Sequence, residues 1–212
     1  MKTIFALIAF LLYGGGPALA GTPPPTPASP AEIVAYHDSG GWAADTSRVI
    51  RRARRHLAAH LSEPKPAIVL DIDDTSLSSY RCLKKVNFKR SQADCSGNGT
   101  MPAIRQTRSL YRYAVRHHVR VFFITGRRAS VRATTIANLH RAGYQGRIRI
   151  KLRPDQEAPG THNGWKERTR ARIVDRGYRI IANVGDQRSD LTGGHALRAF
   201  KLPNPMYVIR TA

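Results

Sequence analysis

The sequence predicts an α/β fold in which a parallel β-sheet lies between two layers of helices. Three observations predict it. Short, continuous apolar runs recur along the chain, each the mark of a strand buried on both faces. Longer stretches of helical composition separate them, and alternation of strand with helix implies a parallel sheet covered on both sides. Finally, Arg141-Ala142-Gly143-Tyr144 and Arg176-Gly177-Tyr178 each place glycine where a helix should stop.

The first twenty residues stand apart from this pattern. Lys2, the apolar run Ile4 to Tyr13 and the small-x-small end Ala18-Leu19-Ala20 read as a secretory signal peptide cleaved after Ala20. The run is short for a transmembrane helix, which needs about 20 apolar residues, and no later segment comes closer. No membrane span is therefore expected after cleavage, and the expected location is periplasmic or secreted. An uncleaved N-terminal anchor is the alternative. No Cys follows the cleavage site, which leaves lipid attachment unsupported. Residues 21–30, rich in Pro and Thr, read as a disordered leader. A chain of 212 residues with 42% hydrophobic composition can bury one sizeable core, so 31–212 is expected to be one globular domain.

The first helix is expected over Trp42 to Leu61, where Val49, Ala53, Leu57 and Leu61 make one apolar stripe. Pro64 and Pro66 stop it, and Ala67-Ile68-Val69-Leu70 forms the first buried strand. The strand signature returns in Val119 to Thr125, Ile148 to Leu152, Ile180 to Val184 and, more weakly, Met206 to Ile209. Helices are expected between them over Ile104 to His117, Arg128 to Ala142 and Trp165 to Arg176.

Export governs how Cys82 and Cys95 are read, because thiols in an oxidising compartment tend to pair. A disulfide between them would contribute about 3 kcal/mol in the chain-entropy model and hold a core-poor insertion together. Two free buried thiols are the alternative. No His or further Cys stands at a zinc-like spacing from the pair. The net charge of +21, from 35 Lys plus Arg against 14 Asp plus Glu, allows a polyanion partner. The arginines are nevertheless spread widely with few aromatics between them, which suits a solvated basic surface better than a base-stacking platform. No specific nucleic-acid partner is expected. Such a surface would raise the local concentration of anionic phosphoesters.

In a parallel sheet, ligands bind beyond the carboxyl ends of the strands, so the polar residues there are the candidate site. The first strand ends in Asp71 and Asp73, placed so that both carboxylates project from one edge. Their repulsion is relieved by a divalent cation, and hard oxygen ligands suit Mg²⁺. An acidic turn capping a strand is the plainer reading. The second strand ends in Thr125-Gly126-Arg127, a hydroxyl and close backbone amides ahead of a helix, which suits a phosphate oxygen. The fourth ends in Gly185-Asp186-Gln187-Arg188-Ser189-Asp190, whose two acids can face the same cation as Asp71. Lys166 supplies an ammonium able to neutralise a phosphoryl group and an attacking carboxylate.

Taken in order, IVLDIDDTSL (68–77), VFFITGR (121–127), Leu152-Arg153-Pro154 with Lys166, and NVGDQRSDL (183–191) resemble the haloacid dehalogenase (HAD) superfamily. The closer resemblance is to its subfamily IIIB acid phosphatases, which include bacterial class C enzymes and plant vegetative storage proteins. It runs from about Ala31 to the C-terminus. The resemblance implies a three-layer α/β/α, Rossmann-like fold with a small cap inserted after the first strand, here the short stretch 76–101. It also implies that Asp71 attacks phosphorus while Asp73 protonates the leaving oxygen and later activates water. Mg²⁺ would be held by the Asp71 carboxylate, the Asp73 main-chain carbonyl with its side chain left free to carry a proton, and the Asp186 carboxylate. Asp190 would act behind these ligands or through water. Thr125 and the Gly126 amide would hold phosphoryl oxygens, and Lys166 would balance charge.

The expected function is hydrolysis of small phosphomonoesters at mildly acidic pH, nucleoside monophosphates among them. The alternatives are a non-catalytic, storage-like or polyanion-binding protein and a phosphotransferase. A homo-oligomer is compatible with all three. Tyr80, Phe88 and Trp165 could stack on a base or aryl group, although packing is the plainer role for each.

Overall fold

The computed structural model describes residues 28–97, 99–156 and 162–209. The expected signal peptide and most of the expected Pro/Thr-rich leader thus lie outside the described residues. The last three leader residues do not continue the expected disorder. The Ala28 N–H donates to the Pro205 carbonyl, Ser29 caps a helix, and Pro30 occupies its first turn. That helix, α1 (Pro30–Asp38), was not expected from the sequence. It starts because Ser29 and Glu32 form a capping box, each side chain satisfying backbone donors of the other's turn.

Helix α2 (Gly41–Ala58) leads to strand β1 (Pro66–Leu70). Two short helices, α3 (Tyr80–Lys85) and α4 (Gln92–Ser96), precede α5 (Arg105–Arg116) and β2 (Arg120–Arg128). Then come α6 (Arg132–Arg141), β3 (Ile150–Arg153), α7 (His162–Val174), β4 (Arg179–Gly185), α8 (Arg188–Leu191) and β5 (Arg198–Lys201). All five strands are parallel, in the order β3-β2-β1-β4-β5. β1 is central.

Alternation along the strands sends neighbouring residues into two cores. Ile68, Leu70, Val121 and Phe123 pack with Ile50, Leu57, Leu110 and Leu139 of α2, α5 and α6 on one face. Ala67, Val69, Phe122 and Ile124 pack with Ile173 of α7 on the other. A strand with both faces covered needs apolar residues at every position, which is why the runs in the sequence are continuous.

The fifth strand is not Met206–Ile209, as expected, but the earlier Arg198–Lys201. Only Phe200 of that strand is buried, so an edge strand of mostly polar residues carries no apolar run. Residues 206–209 form an irregular segment across the carboxyl edge of the sheet. A second correction concerns β2, which runs on through Gly126 to Arg128, with a register shift after Thr125. A 3₁₀ turn (Ala129–Val131) follows, so the next helix begins at Arg132 and does not present its N-terminus to Thr125-Gly126.

The insertion at 76–101 consists of α3 and α4, bridged by the disulfide Cys82–Cys95 with a Cα separation of 5.8 Å. Leu83 and Cys95 bury themselves against Ile33 of α1 and Met206, with Tyr80, Cys82, Phe88 and Tyr207 around them. This insertion therefore depends on both ends of the domain. The aromatic residues serve packing. Tyr80 stacks on His37 at 3.8 Å, Phe88 joins the same cluster, and buried Trp165 donates its indole N–H to the Thr125 carbonyl.

Candidate active site

β1 delivers Asp71 to the carboxyl edge of the sheet, where its N–H still donates to the Val184 carbonyl at 3.0 Å. The chain then turns tightly. The N–H groups of Ser76 and Leu77 donate to the Ile72 carbonyl, and the Ser76 hydroxyl donates to the Asp71 carbonyl. Asp74 sits in the left-handed region at φ 53°, which Asp tolerates better than most residues. This turn aims Asp71, Asp73 and Asp74 in three directions from four consecutive residues.

Asp71 points to Lys166, whose ammonium donates to Asp71 Oδ1 at 2.7 Å and also to Asp190. Asp186 accepts from the Thr75 hydroxyl (2.9 Å), the Gln187 amide (2.6 Å) and the Asn204 amide (2.7 Å). Asp190 is fixed by the Gln187 N–H at the start of α8, and β4 must end in glycine for it to fit. A Cβ at Gly185 would lie 2.3 Å from the Asp190 Cβ. Asp71, Asp186 and Asp190 are all buried, and each offers an oxygen within 4.8 Å of the other two.

Asp73 faces elsewhere. Its carboxylate accepts three contacts from the Arg127 guanidinium, at 3.2, 3.0 and 2.8 Å, and both side chains are under 10% exposed. The expectation that this side chain is free is therefore corrected: it is one half of a buried ion pair. Arg127 is itself steadied by Thr135 and the Met101 sulfur. Asp74 accepts from the Ser79 N–H and hydroxyl and from the Tyr207 hydroxyl, so it ties the insertion and the C-terminal segment to the turn.

The electrostatics are unbalanced. Burial, then the charge of Asp190, push the Asp71 carboxyl well above the usual carboxylate range, against the pull of Lys166. Burial, then Asp190, raise Asp186 to about 6, and burial, then Asp186, raise Asp74 to about 7. Burial works against the Lys166 ammonium, but Asp190 and Asp71 outweigh it and hold its pKa above the ordinary lysine value. Of the five buried carboxylates Asp71, Asp73, Asp74, Asp186 and Asp190, Lys166 and Arg127 pair with three, while Asp74 and Asp186 are held by neutral donors. Arg153 and Arg170 are buried nearby. The surplus of negative charge and the all-oxygen donor set fit a hard divalent cation.

A cleft of ≈ 550 Å³ opens over these groups. Asp71, Asp73, Lys166, Asp186 and Asp190 line it together with Gly126, Arg128 and Arg153. α4 and Gly97 roof one side, while Tyr207 and Ile209 wall another. Thr125 lies just beneath, fully buried, its Oγ1 accepting from the Arg127 N–H. The structure therefore gathers every residue expected from the sequence. Arg127, Thr75, Gln187, Asn204 and Tyr207 were not foreseen. Arg127 sits within a motif already singled out, but its partner lies 54 positions away.

Comparison with known proteins gives consistent relatives. The family model "HAD superfamily, subfamily IIIB (Acid phosphatase)" matches residues 24–210. The chain is 35% identical over 166 residues to the stem 28 kDa glycoprotein of Glycine max, covering 74% of this chain and 64% of that one. It is 40% identical over 148 residues to acid phosphatase 1 of Solanum lycopersicum, covering 66% and 58%. Vegetative storage protein 1 of Arabidopsis thaliana matches at 30% over 149 residues, covering 66% and 54%. The chain thus spans less than two thirds of the length of these three relatives. Its fold is similar to that of the class C acid phosphatase from Bacillus anthracis, with a TM-score of 0.65, 23% identity and coverage of 82% and 83%.

Proposed function

The chain belongs to the acid phosphatases of HAD subfamily IIIB, and on that premise we propose that it hydrolyses small phosphomonoesters through an aspartyl-phosphate at Asp71. The observation that carries this reading is the Lys166 bond to Asp71 inside the three-carboxylate group. An anionic carboxylate attacks an anionic ester only where nearby cations cancel the repulsion.

Asp71 Oδ forms a bond to phosphorus as the ester P–O bond breaks, and the leaving oxygen takes a proton from the Asp73 carboxyl. Water then attacks the same phosphorus, giving its proton to Asp73 and freeing Asp71 as inorganic phosphate departs. Lys166 screens Asp71 throughout, while Thr125 and the Gly126 amide hold phosphoryl oxygens. Arg127 holds the Asp73 carboxyl in its fork, so the substrate must loosen that pair before Asp73 can reach the leaving oxygen. Asp71, Asp186 and the Asp73 carbonyl, with Asp190 behind them, would hold Mg²⁺, which supplies charge neutralisation for the incoming phosphate.

The cleft, walled by Tyr207 and Ile209 and flanked by Arg128 and Arg153, suits an ester with an apolar or planar leaving group, nucleoside monophosphates among them. Export with cleavage after Ala20 agrees with glycoproteins among the relatives. The test is phosphate release from an aryl phosphate and a nucleotide, with Mg²⁺ and with chelator, by the wild type and Asp71→Asn. The variant should lose about three orders of magnitude or more. Equal rates in the two proteins would sink the mechanism, and glycerol phosphate formed in added glycerol would turn the reading to phosphotransfer.

A further inference from the structure

Most of the basic residues behind the +21 charge lie outside the active site, and the placement of some is specific. Helices α2 and α5 lie side by side and run parallel. The Gln106 amide reaches the Ala43 carbonyl and the Ser47 hydroxyl near their starts, and seven residues further along each helix the Arg54 guanidinium lies 4.6 Å over the Tyr113 ring. Both helices turn their apolar stripes to the sheet. Their outer faces carry Arg51, Arg52 and Arg55 on α2 and Arg105, Arg112 and Arg116 on α5. All six are exposed, and among the described residues none has an acidic partner. The only acid on either helix is Asp45, which is buried and engaged by Tyr36 and Arg48.

We propose that this outer face of α2 and α5 is a docking surface for the phosphate backbone of duplex nucleic acid, without regard to base sequence. Arginine forks match phosphate oxygens bidentately, whereas lysine offers only a point charge. At 1.5 Å per residue, Arg105 to Arg116 spans about 16 Å. A duplex presents one charge per about 1.7 Å of axis, so that length supplies more phosphates than the six arginines can use. No exposed aromatic side chain stands among them to stack on bases. Val115 is the only large apolar side chain exposed on either helix, which leaves nothing to insert into a lipid surface and sets the duplex above a membrane. No residue of α2 or α5 lines the catalytic cleft, so a docked duplex leaves the cleft open.

The test uses the full mature chain and a duplex with hydroxyl groups at all four ends, so that no phosphomonoester can enter the cleft. Binding is followed by fluorescence anisotropy from 50 to 300 mM NaCl. Six neutralised phosphates give a slope of log K against log salt of about −5. Changing Arg51, Arg55, Arg105 and Arg112 to Gln should flatten that slope by about 3.6. A control with the same charge change elsewhere on the surface, Lys89, Arg147, Arg172 and Arg176 to Gln, should keep the slope. Hydrolysis of a small aryl phosphate should be unaltered by saturating duplex. The proposal is overturned by equal flattening in both variants, by no binding at 50 mM salt, or by binding to phosphatidylglycerol vesicles in place of the duplex. Because each overturning outcome is read from binding and not from catalysis, loss of phosphatase activity would not mimic any of them.

Discussion

The Asp73–Arg127 pair gives the sharpest test of how the site is built. Three guanidinium contacts between 2.8 and 3.2 Å join two side chains that are 4% and 9% exposed. Removing one partner leaves the other charge buried and uncompensated, which costs about 3–5 kcal/mol, whereas an exposed pair rarely exceeds about 1 kcal/mol. A double-mutant cycle of Arg127→Met, Asp73→Asn and both together, read by urea unfolding at pH 7, should therefore show a coupling of about 3 kcal/mol. The kinetic side is separate, because Arg127 touches Asp73 and is held by Thr135 and Met101. Arg127→Lys should lower kcat with little change in KM, since the charge remains and only the fork that orients Asp73 is lost. A coupling below about 1 kcal/mol would refute the buried-pair reading. A rise in KM at unchanged kcat would make Arg127 a substrate ligand and not a positioning residue.

Three further outcomes follow from the same structure. Mg²⁺ should relieve repulsion among Asp71, Asp186 and Asp190, stabilising the fold by about 2.7 kcal/mol at a hundredfold excess over Kd, which is read as a raised thermal midpoint that Asp186→Asn should abolish. His37 is stacked between Trp42 and Tyr80 with its Nε2 buried and unbonded, and burial lowers its pKa from 6.5 to about 4. Between those values the unfolded chain binds the extra proton, so stability is full above pH 6.5 and falls as pH drops toward 4. Partial exposure of the ring reduces the loss to about 1–2 kcal/mol, and His37→Gln should flatten stability across that window in urea titrations. Cys82→Ser with Cys95→Ser should cost about 3 kcal/mol and raise KM more than it lowers kcat, because α4 roofs the cleft without touching Asp71 or Lys166.

How much of this was legible in the sequence depended on what each element buries. β1, β2, β3 and β4 were legible because residues buried on alternate faces leave an unbroken apolar run. β5 was not, since one buried Phe200 between polar neighbours looks like any loop, and the apolar residues 206–209 were mistaken for it. Those residues are apolar for another reason: Met206 seals the insertion and Tyr207 reaches Asp74. Helix α1 hid for a similar reason, burying only Ile33 and Tyr36 and starting inside a stretch read as leader. The carboxylates and Lys166 could be found from position and chemical type alone. The groups that aim them could not. Asn204 and Thr75 become visible only when the fold brings residues 18 and 111 positions away against Asp186.

The separation of charge links these observations. Five of the fourteen acidic residues are sunk into one site, which leaves the exterior more basic than the composition alone would make it. A buried group of like charges is tolerable only when cations enter with it. Lys166 and Arg127 meet part of that need, and the raised values at Asp71 and Asp186 report the remainder. The shortfall faces the cleft. An anionic ester approaching from outside first meets a positive field that concentrates it. It meets concentrated negative charge only at the floor, where Lys166 already stands beside the Asp71 carboxylate. The same exterior that gathers small esters is, along α2 and α5, ordered enough to hold a larger phosphate chain.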